Sequence, residues 1–97
     1  MYIVALQVSF RIEESYSLKG KRRIVSSLLQ RCQTKFKVSI AEISELDSQT
    51  RALIGMAIVT NNQRHGERLL QKCLDFIEVH YLIEVTGVEW LDGRGLF

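Results

Sequence analysis

A chain of 97 residues accommodates one small domain, which excludes a multidomain enzyme. Hydrophobic residues at 46% and charged residues at 25% match the globular average and argue against a disordered tail or a disulfide scaffold. Thirteen Lys and Arg against eleven Asp and Glu leave a net charge of +2, too small by itself to indicate a polyanionic partner.

In chain order, Tyr2 to Ile12 alternates, with Tyr2, Val4, Leu6, Val8, Phe10 and Ile12 on one side and Ile3, Ala5, Gln7, Ser9 and Arg11 on the other. This is a strand with one strongly apolar face. It carries no basic region, and Gln7 and Ser9 break its apolar stretch, so it does not read as an export signal. The loop Glu13 to Tyr16 leads to Ser17, an N-cap candidate whose hydroxyl can accept from an orphan amide of the following turn. Leu18, Val25, Leu28, Leu29, Cys32 and Phe36 then recur at helical spacing, which predicts an amphipathic helix of about five turns.

Val38 to Leu46 and Arg51 to Thr60 read as strands joined by the polar hairpin Asp47 to Thr50. Gly55 inside the second of them signals a bulge or a close backbone approach. Asn61 and Asn62 stop that strand and can cap a second helix, whose face is marked by Leu69, Leu70, Cys73, Phe76 and Ile77. Leu82 to Leu91 is the last strand, and 92–97 reads as a flexible tail with Leu96 and Phe97 as its only anchors. Strand, helix, strand, strand, helix, strand is the split βαβ order, expected to form a single α+β, ferredoxin-like βαββαβ domain over residues 1–97. Right-handed crossovers place both helices on one face of a four-stranded antiparallel sheet.

The helix-side face takes the even residues of the first strand together with Ala52, Ile54, Met56 and Ile58. The opposite face carries Ile3, Ala5, Gln7 and Ser9 beside Leu53, Gly55, Ala57 and Val59, which is less polar than a solvated sheet face. Three readings of it stand together: ordinary scattered exposure, cover by a second copy of the chain, or a ligand pocket.

Charge is distributed unevenly. Lys19, Lys21, Arg22, Arg23, Arg31, Lys35 and Lys37 lie between Ser15 and Ala41 with no acidic residue, while the remainder of the chain is net acidic. Lys19, Lys21, Arg22 and Arg23 crowd the first two turns of the helix, where the dipole favours anionic side chains; each such cation costs about 0.3 to 1 kcal/mol at low salt. A helix start with added cations is a ready anion site, and phosphate is the natural ligand; the competing reading is a solvated basic helix. At about 100° per residue Lys19 and Arg23 share the polar side, while Lys21 and Arg22 flank the apolar stripe, so the four form a collar around the helix start.

Catalytic and cofactor signals are missing from the pattern. The stretch Arg51-Ala-Leu-Ile-Gly-Met-Ala-Ile58 has no aromatic with which to stack RNA bases on the sheet. Phosphate-cradling glycine loops, dinucleotide fingerprints and nucleophile elbows are absent. His65 and His80 fall on one helix about 22 Å apart and cannot share a metal. Glu13 and Glu14, and the cluster Glu42, Glu45 and Asp47, read as solvated turns. Cys32 and Cys73 read as buried thiols in a reducing compartment, with their mutual distance left open. The expectation is a cytoplasmic protein with no cofactor, no metal and no membrane span.

The chain resembles the YlxP-like bacterial family of uncharacterised domains over nearly its whole length. The resemblance rests on Ser17-Leu-Lys-Gly-Lys-Arg-Arg23, Phe36-Lys-Val-Ser-Ile-Ala-Glu42 and Arg51-Ala-Leu-Ile-Gly-Met-Ala-Ile-Val-Thr-Asn61. It implies a ferredoxin-like fold and, because members are often encoded beside translation initiation and ribosome-maturation factors, a connection to translation. It implies no established activity. One departure is the turn Asp47-Ser-Gln-Thr-Arg-Ala52, where family members usually have Asp-x-Trp-Gln-Arg-Ala.

The leading expectation is a small non-enzymatic protein that uses Lys19, Lys21, Arg22 and Arg23 to contact the phosphates of structured RNA or a ribosomal particle. The alternative is a homodimeric protein-interaction module with no nucleic-acid role, assembled through the open sheet face or an exposed edge strand. A third reading is a small-anion or metabolite sensor stabilised by phosphate or nucleotides.

Overall fold

A computed structural model of the chain describes residues 1–13 and 17–91. The expected tail at 92–97 and most of the loop before the first helix lie outside the described residues. The elements are β1 (Tyr2–Ile12), α1 (Leu18–Phe36), β2 (Ser39–Ser44), β3 (Arg51–Thr60), α2 (Gln63–His80) and β4 (Ile83–Leu91). They form an α+β ferredoxin-like fold whose antiparallel sheet runs β2-β3-β1-β4.

Both helices are capped as the sequence requires. Ser17 accepts a hydrogen bond from the Gly20 amide at 3.0 Å, and Asn62 accepts from the His65 amide at 3.1 Å, each satisfying a donor that the helix cannot. The α1 end closes on Lys37, a left-handed residue with φ 55° whose amide donates to the Gln33 carbonyl. The strand expected at Val38 to Leu46 is shorter at both ends, because Val38 is taken into the core and Glu45 turns out of the ladder with φ 65°.

Alternation in β1 and β3 survives folding. Val4, Leu6, Val8, Phe10 and Ile12 join Ala52, Ile54 and Met56 under the helices, meeting Val25, Leu28 and Cys32 of α1 and Leu70, Cys73, Leu74 and Ile77 of α2. A fully buried aliphatic side chain contributes about 1.5 to 3 kcal/mol, so this cluster dominates stability. Cys32 and Cys73 come together at the α1–α2 contact, close enough for their thiols to hydrogen-bond. That hydrogen bond pulls the Cys32 thiol below its ordinary value against the opposing effect of burial; the same bond and burial push Cys73 upward. Both thiols are expected to resist maleimide in the native protein and to react after denaturation, with a mass increase of two labels as the readout.

Two glycines permit close approach. A Cβ on Gly66, in the first turn of α2, would lie 2.9 Å from Val4 Cγ2 and 3.0 Å from Thr60 Cγ2. Gly66→Ala therefore sets a helix-propensity gain of about 1 kcal/mol against overpacking of about 1 to 3 kcal/mol. We expect net destabilisation, read as a lowered chemical-denaturation midpoint with an unchanged slope. Gly55 lies beneath the Ile43 side chain, which would sit 3.1 Å from an added Cβ. Of the two sequence readings for Gly55, the close approach is the one realised, and the neighbouring irregularity falls in β2, between Glu42 and Ser44.

The open face is half-buried across most of β1 and β3, with Ala5 only 4% exposed between Ala57 and Leu91 of the neighbouring strands. Val59 at its end is exposed. On the helix side, β4 runs past the cover of α2: Val88, in register with Val8, and Trp90, in register with Leu6, are 46% and 42% exposed.

Candidate functional site

The first two turns of α1 contain no acidic residue, and of the expected collar Lys19, Arg22 and Arg23 are exposed. Lys21 is a correction. It is fully buried, its Nζ 2.7 Å from Glu42 Oε2 and donating to the Glu45 carbonyl at 2.6 Å. At about 100° per residue Lys21 points with Val25, Leu28 and Cys32, so its ammonium passes beneath the helix and is met by β2 and the turn after it. A buried ammonium requires an anion and further acceptors, and the left-handed conformation of Glu45 presents its carbonyl as one of them.

Glu42 is the matching correction to the solvated cluster expected at Glu42, Glu45 and Asp47: its side chain is 14% exposed and committed to Lys21. The contact is ionic, with the ammonium approaching Oε2 off the hydrogen-bonding direction. Together Lys21, Glu42 and the Glu45 carbonyl tie the start of α1 to the β2–β3 hairpin. Ser48 completes that turn: its amide donates to the Glu45 carbonyl and its hydroxyl accepts from the Thr50 and Arg51 amides. The turn Asp47 to Ala52 is thus held by a serine.

Two other cations of the basic segment are engaged with aromatic rings between the helices. The Arg31 guanidinium lies 5.0 Å from the Phe76 ring centroid and 5.5 Å from that of Tyr81, and donates to the Tyr81 hydroxyl, which also bonds Ser27. Lys35 sits over Phe36 and Phe76. These are cation–π contacts that seal the outer seam of α1 and α2. Among the described residues the ion pairs are Lys21–Glu42 and Arg11–Glu84, so Lys19, Arg22 and Arg23 present their charge to solvent.

The result is a compact cationic surface at the start of α1, fixed from below by the buried Lys21. Its three exposed side chains carry thirteen N–H donors, five from each arginine and three from the lysine ammonium, beside amides of a helix N-terminus. Such a surface can hold phosphate oxygens without reading bases. No group of three or more His, Cys, Asp or Glu side chains among the described residues is placed to hold a metal, and no described helix is long and apolar enough to cross a membrane.

Sequence reasoning missed the partner of Lys21. It also missed a second pair of cations, Arg11 and Arg51, which lie directly opposite each other on β1 and β3. Only a strand register reveals that pair, since the residues are far apart in the chain.

Comparison with known proteins gives two matches. Residues 3–90 match the family model described as Protein of unknown function (DUF503). The chain is 40% identical over 81 residues, 81% of its length and 88% of the relative's, to the Uncharacterized protein YlxP of Bacillus subtilis (strain 168).

Proposed function

The chain belongs to the DUF503 family of proteins of unknown function, and from the basic start of its first helix we propose that it is a small non-enzymatic protein, at work in the cytoplasm, that contacts the phosphates of structured RNA. The observation that carries this reading is the exposure of Lys19, Arg22 and Arg23 on a helix turn without acidic partners. Those charges oppose the helix dipole and contribute nothing to the core, which favours an external anion as their partner over a merely solvated helix face. A folded RNA, including a ribosomal particle, presents many phosphates close together, which suits a cluster of neighbouring cations. The test is RNA binding by wild type and by the triple reversal Lys19→Glu, Arg22→Glu, Arg23→Glu across a salt series. Retained affinity in the reversal would reject the proposal.

A second reading, self-association into a homodimer, is favoured by Val88 and Trp90 left exposed on an edge strand. Light scattering at micromolar concentration tests it: the reading expects twice the monomer mass, returning to monomer in Trp90→Lys. The two readings use different surfaces and can hold together.

A further inference from the structure

We propose that a cavity on the open face of the sheet, between Arg11 and Arg51, binds a small molecule through a phosphate monoester group. The cavity encloses about 370 Å³, a volume suited to a small metabolite. It lies away from the α1 collar, none of whose residues lines it.

The placement follows from register. Odd residues of β1 face away from the helices, and Arg11 is directly opposite Arg51, as Ser9 is opposite Leu53. Like charges at directly opposed strand positions disfavour the sheet. Glu84 of β4, 3.4 Å from Arg11, compensates one of them. Arg51 has no acidic partner among the described residues. An anion held between the two guanidinium groups would remove the repulsion that the fold leaves in place.

A second observation converges on the same cavity. Both edge strands lose regular register beside it: β4 between the partners of Ser9 and Phe10, where Thr86 is the extra residue, and β2 between Glu42 and Ser44. Bulges re-aim side chains and concentrate next to binding sites. Here they bring Thr86 from one edge and Ser44 from the other to the lining, alongside Ser9. Two planar guanidinium forks and three hydroxyl donors match the terminal oxygens of a phosphate monoester, which is bidentate toward arginine. Leu53 supplies an apolar patch for the body of the ligand.

The experiment uses the intact protein with inorganic phosphate and glucose 6-phosphate as probes, and sodium chloride at matched ionic strength as the control, read by thermal unfolding and calorimetry. We expect both phosphate probes to raise the midpoint with the logarithm of concentration up to about 10 mM, with no rise in chloride. Arg51→Gln, an exposed position that leaves the core intact, should weaken the apparent affinity at least about tenfold. Arg51→Lys should recover part of it by keeping the charge without the fork. The stabilisation that Arg51→Gln removes should persist in the collar reversal, separately from any phosphate held by the collar itself. No saturable stabilisation, or stabilisation unchanged in Arg51→Gln, overturns the proposal; loss in the collar reversal alone would place the anion on α1 instead.

Discussion

Replacing Lys21 with Met is expected to cost the fold about 3 to 5 kcal/mol, a large share of the stability of a domain this size. Methionine matches the length and apolar stem of lysine, so packing under α1 changes little. What changes is that Glu42 loses its counter-ion in a site 14% exposed, and the Glu45 carbonyl loses its donor. The midpoint should fall by more than about 12 °C, measured by circular dichroism at constant protein concentration. The double variant Lys21→Met, Glu42→Met separates the ionic contribution from packing. It removes both charges, and replacement of a buried pair by apolar groups is often neutral or stabilising, so most of the loss should be regained. A double variant as unstable as Lys21→Met would show that lysine packing, and not the pair, carries the effect.

The second large effect is on RNA affinity. Three phosphate contacts from Lys19, Arg22 and Arg23 give a slope of about −2.7 in log affinity against log salt, which is roughly a 40-fold loss between 50 and 200 mM. The triple reversal should abolish detectable binding at the lower salt, because it replaces three attractions by three repulsions. The Lys21→Met, Glu42→Met protein should bind RNA with the slope of wild type. This contrast distinguishes a surface that touches phosphate from a helix start that merely must be intact. An equal loss in both proteins would mean that the orientation of α1, and not its exposed charge, governs binding.

The elements of the fold were legible because each depends on short-range information. Alternation in Tyr2 to Ile12, the Ser17 and Asn62 caps and the spacing of Leu28, Cys32, Leu70, Cys73 and Ile77 specify strands and helices within a few residues. The same local reasoning placed Lys21 at the flank of the apolar stripe of α1, a position from which a long side chain can reach either water or the core. Which of these it does was invisible, since the deciding partner, Glu42, belongs to another element. Arg31 shows the same limit: its charge was counted, but the Phe76 and Tyr81 rings that engage it come from α2 and its end.

By itself, then, the sequence determined the βαββαβ order, the helix-side core and the concentration of positive charge on α1, because periodicity and capping act through neighbouring residues. Only the tertiary structure decided which charges remain available. Packing α1 against β2 buried Lys21 on Glu42, while the pairing of β1 with β3 set Arg11 against Arg51, and both outcomes depend on contacts between residues that the chain itself keeps apart.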